Sequence, residues 1–482
     1  METKSTSFKI SVTTLAIMNV TAVVSLRGLA AESVYGLSSA FYYLFAAIVF
    51  LIPTALIAAE LAAMFSDKEG GVFRWIGEAF GARTGFVAIW LQWIQSTIWY
   101  PTVLTFGAVS IAFIGLNQQS DMALASNKLF TIIVVLAIYW TATFISLKGL
   151  NWVGKISKWG GIIGTIIPAA LLIVMGIIYL ASGGHNNMDM SAGFFPDLKK
   201  FDNLVLASSI FLFYAGMEMM GIHVMEVNNP TKNYPKAIII GSLITVSIFI
   251  LGTFSLGFII PAKEVSLTQS LLIGFDRYFE YLHISWAAPI IAIALMFGVL
   301  AGVLTWVSGP SKGIFSVGKA GYLPPVFQKT NSNGVQRNIL LIQGGIVTLL
   351  SLLCVVMPSV QSFYQILSQM TASLYLIMYM MLFAAAIVLR YRLKDKTRPF
   401  RLGGNMTMWI ISGLGFCGSL LAFILSFIPP AQISTGSPKT WVTILVVGCV
   451  VVLVIPLIIY AMRKPSWKNA DTEFAPFEWE KK

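Results

Sequence analysis

Two ionisable side chains stand in the middle of stretches apolar enough to cross lipid. Arg27 lies in Val23-Val24-Ser25-Leu26-Arg27-Gly28-Leu29, and Glu218 in Phe213-Tyr214-Ala215-Gly216-Met217-Glu218. A charge at that depth costs about 2.5–3.5 kcal/mol on insertion scales, so it is normally kept for function. Each lies close to a glycine, and interrupted helices at matching places in two halves of a chain point to a carrier's binding site. An unwound turn leaves backbone N–H and C=O groups without helical partners, tolerated only where they line a cavity. A helix starting there offers its positive end to an anion, and one ending there offers its negative end to a cation. Two such breaks face to face suit a solute carrying both a carboxylate and an ammonium, as an α-amino acid does. Covalent chemistry is not indicated. No His-Glu or Cys-His cluster occurs, and the scattered serines have no local base, which argues against an enzyme. Cys354, Cys417 and Cys449 lack metal-ligand spacing, so neither a metal nor a cofactor is expected.

The candidate substrate-binding residues of the breaks are Ser25, Leu26, Arg27 and Gly28 in the first and Tyr214, Ala215, Gly216 and Glu218 in the second. Arg27 either clamps a carboxylate through two parallel hydrogen bonds or pairs permanently with Glu218 or Glu32. Glu218 either titrates or serves as that fixed partner. Trp99, Trp306, Tyr375 and Tyr379 fall inside spans that would surround the breaks, as packing, as gates or as cation–π partners of an ammonium. Glu60 reads as a structural acid, and His223 as an interface residue or a relay member.

Hydropathy supplies the elements that must hold these residues. The chain has 482 residues, 57% hydrophobic and 11% charged, against about 25% charged in soluble domains. Twelve apolar segments are long enough to cross a bilayer: 10–30, 37–64, 86–116, 128–147, 156–181, 203–225, 236–260, 284–310, 339–357, 361–389, 406–428 and 441–462. The first is expected to be a span and not a removed leader. The predicted fold is therefore an all-α membrane protein. Residues 1–462 form a transmembrane domain, in which 10–181 and 203–389 are inverted five-helix repeats with helices 1 and 6 broken. Two helices, 406–462, follow, then a short cytoplasmic tail, 463–482.

The formal charge is +12, yet its distribution argues against nucleic acid. Of 32 Lys and Arg, the outer loops hold Lys199, Lys200, Lys263, Arg277 and Lys439, and nearly all others fall on the opposite side. That asymmetry places both termini in the cytoplasm. The basic run at 390–401 is expected to meet anionic lipid. Within 65–85, apolar residues at 72, 73, 75, 76, 79 and 80 with Arg74 and Glu78 between them predict a short amphipathic helix on the membrane surface.

Four stretches resemble the amino acid–polyamine–organocation superfamily and, within it, the bacterial glutamate/GABA antiporter family. They are AAELAAMFSDKEGGVFRWIGEAFGARTGFVAI at 58–89, HVMEVNNPTKNYPKAI at 223–238, WVSGPSKGIFSVGKAGYLPPVFQKTNSNGV at 306–335, and ILSFIPPAQI at 424–433. The resemblance implies a LeuT-like five-plus-five inverted repeat and exchange of an amino acid for its decarboxylation product. It assigns Trp306 to the pathway, Tyr375 and Tyr379 to a tyrosine pair, and Glu218 to the acid beyond the second break. Lys158, in SKWGG, resembles a lysine that replaces a sodium ion in proton-coupled relatives. It is either an anchor at the cytoplasmic end of its span or a candidate for gating or proton coupling together with Glu218 and Trp99. Three features depart from the glutamate/GABA exchanger: the first break carries Arg27, Gly302 replaces an acid, and the tail is too short for a long plug. An added cation and a missing anion either favour a substrate with a carboxylate or alter the preferred protonation state.

These readings converge on an inner-membrane amino-acid antiporter of alternating access, exchanging a glutamate-like or other zwitterionic amino acid for a related one or for a product such as GABA. A proton-coupled symporter and an amine or polyamine exchanger are the alternatives. The partners expected are the amino acid, its counter-substrate and membrane lipid, without nucleic acid.

Overall fold

A computed structural model describes residues 11–190, 193–196, 208–219, 227–429, 437–468 and 474–480. The described chain is helical, with no strand among the described residues. Helix α1 (Val12–Val23) opens on Ser11, whose hydroxyl accepts the Thr14 N–H at 3.1 Å, and stops at the extended residue Val24. A 3-10 turn, Leu26–Gly28, then leads into α2 (Leu29–Ser33), with a bend of 48° across the break. There follow α3 (Ser38–Met64), α4 (Val72–Phe80), α5 (Ala82–Ala112), α6 (Gln118–Ala125), α7 (Lys128–Leu147) and α8 (Trp152–Ala181). The second break follows α9 (Ser209–Tyr214), which gives way to extended Ala215, Gly216 at φ +116° and a single 3-10 turn at 217–219. The chain continues through α10 (Pro230–Ile259), α11 (Ser270–Tyr281), α12 (Ala288–Lys319), α13 (Arg337–Val356), α14 (Val360–Arg392), α15 (Asn405–Ser426) and α16 (Pro438–Ala461).

Nine of the described helices are long and apolar enough to span a membrane: α3, α7, α8, α10 and α12 to α16; the bent pair α1–α2 makes ten. Two expected spans fall outside that set for identifiable reasons. Segment 86–116 is α5, 31 residues long, whose polar members lower its hydropathy. From Gly85 to Ala112 only Trp99 and Ile111 are not fully buried, so Gln92, Gln95 and Thr102 face protein and never lipid. Segment 203–225 is described only from 208 to 219, and His223 lies outside the described residues.

Helix α5 packs against both α12 and α14, α1 packs against α10, and α8 packs against α12, so these helices surround the two breaks. On one face of the bundle Glu60 meets Arg390 at 2.7 Å and Arg398 at 3.4 Å, and also accepts the Leu402 N–H at 2.7 Å. Glu60 is thus a structural acid. It turns two cations of the 390–401 run inward, and Arg392 donates to the Ala79 carbonyl at 2.7 Å, so this part of the run is held by protein.

The amphipathic helix at 72–80 forms as α4, but its polar side does not meet a membrane surface. Residues 474–480 cover it. The Arg74 guanidinium lies over the rings of Phe474 (4.3 Å) and Phe477 (4.7 Å) and donates to the carbonyls of Ala475 and Pro476. Glu78 accepts the Glu478 N–H at 2.9 Å, Lys68 pairs with Glu478, and the Trp479 indole donates to Gly77 at 3.0 Å. Gly77 is where the tail comes closest: a β-carbon there would stand 2.5 Å from the Phe477 ring.

The opposite face carries α6 and α11. There burial, then the charges of Asp121 and Glu280, push the Asp276 carboxyl up to about 7 from an ordinary 3.8. Between those values the folded protein holds a proton that the unfolded chain has lost, so Asp276 makes stability fall as pH rises from about 4 to 7. Asp276→Asn should flatten that slope and raise the thermal midpoint at pH 8. An unchanged slope between pH 5 and pH 8 would show that Asp276 does not act this way.

Candidate functional site

The two breaks meet at a central cavity, lined by 21–27 of the first break except residue 22, by Leu212, Phe213 and Ala215 of the second, and by residues of α5, α8, α12 and α14. Its volume is about 80 Å³, several times the roughly 10–15 Å³ that one water needs. The cavity is solute-sized, not a packing defect. Gly302 adds to it, because a β-carbon there would meet nothing within 4 Å.

Arg27 is 3% exposed and forms part of this wall. Its Nε donates to the Ser25 hydroxyl at 3.1 Å and its Nη1 to the Thr102 hydroxyl at 2.9 Å. Thr102 passes its own proton to the Trp99 carbonyl at 2.7 Å, which fixes it as an acceptor. The guanidinium carbon lies 5.6 Å from the Trp99 ring and 5.3 Å from the Tyr364 ring. A guanidinium has five N–H donors, so these two bonds leave three unspent among the described residues.

The expected pairing of Arg27 with Glu218 or Glu32 does not form, and no carboxylate lies within 4.0 Å of it among the described residues. Both acids are held elsewhere. Glu218 accepts from the hydroxyls of Tyr375 and Tyr379 and from the Gln92 amide at 2.9 Å. Glu32 is fully buried and accepts from Ser209 at 2.8 Å. Neither lines the central cavity.

Gly216 explains how the second break is held. Its φ of +116° suits glycine, and a β-carbon would stand 2.8 Å from the Trp306 ring. Its N–H, which has no helical acceptor, donates to the Tyr379 hydroxyl at 2.7 Å. That hydroxyl donates in turn to Glu218. Trp306 sits 5.7 Å from Trp99 and 6.3 Å from Tyr375, and Tyr375 sits 4.7 Å from Tyr379. Trp306 and Tyr375 line the central cavity, whereas Glu218 and Gln92 line a second one, about 580 Å³, that opens on the α4 face among Lys68, Glu69, Lys312 and Lys319. The bonded side chains of Tyr375 and Glu218 stand between the two.

Ser25, Leu26, Arg27, Ala215, Trp99, Trp306 and Tyr375 therefore come together at the cavity, with Gly216, Glu218 and Tyr379 just behind its wall. Three expected residues stand apart. Gly28 packs against Phe213, where a β-carbon would come within 2.6 Å of the ring. Tyr214 turns its hydroxyl to the Tyr43 carbonyl at 3.3 Å. Lys158 is exposed, 5.9 Å above the Trp159 ring, while Thr165 of the same helix faces the cavity. Residues seven apart share a face of an α-helix, but the π turn Ile162–Ile166 lies between them and offsets the register by about 100°. Sequence reading passed over Gln92, Gln95, Ser96 and Thr102. Their spacing of three, four and six or seven along one stripe of an otherwise apolar segment was the available signal.

Such an arrangement is suited to a small polar solute, and among the described residues lining it no nucleophile stands beside a base. Helices long enough to cross lipid, around a polar cavity at two helix breaks, define a membrane transporter. A family model described as amino acid permease matches residues 10–454. The chain is 36% identical over 448 residues to an uncharacterized transporter of Legionella pneumophila, covering 93% of this chain and 95% of the relative. It is 32% identical over 429 residues to a glutamate/gamma-aminobutyrate antiporter of Lactococcus lactis, covering 88% and 84%. It is 26% identical over 346 residues to an inner membrane transporter of Escherichia coli, covering 66% and 69%. The chain belongs to the amino acid permease family. It is a membrane-spanning amino-acid transporter and not an enzyme.

Tyr379→Phe would strip an acceptor from Gly216 and a donor from Glu218, whereas Tyr375→Phe removes one donor only. A buried group left unpaired costs about 1–3 kcal/mol. The thermal midpoint of the purified protein should fall further for Tyr379→Phe than for Tyr375→Phe, and equal losses would refute the double role.

Proposed function

We propose that the chain is an antiporter that exchanges a glutamate-like amino acid for a related one or for its decarboxylation product, such as GABA, by alternating access. In this reading it crosses the membrane twelve times as two inverted five-helix repeats plus two helices, with both termini and the α4 face in the cytoplasm. Arg27 receives the substrate carboxylate. The last carbonyls of α1, where the helix stops short of Ser25, and the faces of Trp99 and Trp306 receive the ammonium. Glu218, Tyr375 and Tyr379 close the path toward the cytoplasm. Lys158, outside both cavities, has no part in it.

The observation that carries this reading is a buried guanidinium in the cavity wall without a carboxylate beside it among the described residues. A charge taken from water is costly unless it is paired, and a substrate carboxylate supplies the missing charge. The same fact supports exchange over net transport. An empty cavity would have to reorient with Arg27 uncompensated, and a bound carboxylate removes that barrier. A purely cationic amine would worsen it. The relative that exchanges glutamate and gamma-aminobutyrate has a substrate pair in which both members carry a carboxylate.

In proteoliposomes, uptake of labelled glutamate should require an amino acid inside, and GABA should compete while putrescine should not. Arg27→Gln should weaken glutamate binding by about tenfold to a hundredfold, the loss expected for hydrogen bonds to a charged group. Net uptake driven by a pH gradient into empty vesicles would replace antiport with proton symport. Unchanged affinity with lost protein yield would make Arg27 structural.

A further inference from the structure

Arg27 borders two voids. Together with Leu212 and Phe213 it lines both the central cavity and a smaller space, bounded by Ser209, Tyr364, Gln365, Ser368 and Gln369. The smaller space has room for about one water, roughly 10 Å³. Its walls are nonetheless polar. Gln365, Ser368 and Gln369 occupy one face of α14, are 3%, 9% and 2% exposed, and leave the Gln365 Nε2, the Ser368 Oγ and the Gln369 Oε1 without hydrogen-bond partners among the described residues. The Ser209 hydroxyl is committed to Glu32. An unpaired buried polar group costs about 1–3 kcal/mol, so this wall is destabilising until something fills it.

We infer that Gln365 and Ser368 complete a carboxylate clamp with Arg27, taking the carboxylate's second oxygen into the water-sized space. The inference rests on the reading of the central cavity as an amino-acid site and names the recognition chemistry within it. The guanidinium has three donors unspent, the Gln365 amide adds two, and the Ser368 hydroxyl adds one. Gln369 presents an acceptor, and the donors outnumber it. A carboxylate has two oxygens with about four lone-pair sites between them, so one oxygen can take the Arg27 N–H groups while the other turns past the edge of the guanidinium toward Gln365 and Ser368. The space is the size of one oxygen and no larger, so it admits a carboxylate and discriminates against bulkier groups. The clamp selects substrates with a carboxylate over amines that lack one.

The test is displacement of tritiated glutamate from the full-length protein in detergent by glutamate, by its side-chain amide and by its α-amide. Gln365→Glu keeps the shape of the side chain but sets an anion where the carboxylate oxygen would sit; Ser368→Ala removes a donor without adding bulk. Each variant should weaken glutamate by about tenfold or more. The amide that lacks the clamped carboxylate should be weakened less than threefold, so that the ratio identifies which carboxylate is held. Equal losses for glutamate and both amides, or no loss in either variant, would overturn the clamp and leave the space to water. If the wild-type protein binds none of the three, the amino-acid reading of the cavity falls first and the clamp falls with it.

Discussion

A helix interrupted inside an apolar layer must find partners for the backbone groups it uncovers, and here a tyrosine hydroxyl supplies them. Tyr379 accepts the Gly216 N–H and donates to Glu218, so the second break, the acid beyond it and α14 are tied at one oxygen atom. Gly216 can take its left-handed conformation because it has no side chain, and that absence also lets the Trp306 ring lie against it. If Tyr379 did not reach this point, the break would leave a buried donor unpaired. The aromatic wall between the two cavities would also lose its anchor.

That tie has an electrical consequence. Glu218 is occupied by Tyr375, Tyr379 and Gln92, and Glu32 by Ser209, which leaves Arg27 to neutral partners on α5 and the first break. The cation is oriented by Thr102, Ser25 and two aromatic rings but is not neutralised by them. Orientation without neutralisation is what a binding group needs: the direction is set before the ligand arrives, and the charge is still available to it. Burial on α5 makes this possible, because a helix enclosed by α12 and α14 can carry Gln92, Gln95 and Thr102 at no cost in lipid contact.

Much of this was legible in the amino-acid sequence. Hydropathy gave the helical class, and the glycines beside Arg27 and Glu218 marked both breaks to within a residue or two. Local patterns also found α4, whose Arg74 and Glu78 interrupt an apolar stripe. What covers those two residues was not legible, because residues 474–480 are some four hundred positions away. The partner of Arg27 was misread for the same reason. Charge complementarity favoured Glu218 or Glu32, but three-dimensional packing put Thr102 nearest and gave each acid its own hydroxyl donors. Lys158 lies away from the cavity on a different physical ground, since a π turn within α8 shifts which side chains face it and leaves no mark in hydropathy.

The most direct test is a structure of the transporter determined with bound glutamate. The account predicts a substrate carboxylate on the Arg27 guanidinium at about 2.7–2.9 Å, the distance of a charge-assisted hydrogen bond, with Glu218 still held by its two tyrosines. A carboxylate bound elsewhere, or Arg27 found in a salt bridge with Glu218 or Glu32 while substrate is present, would contradict it.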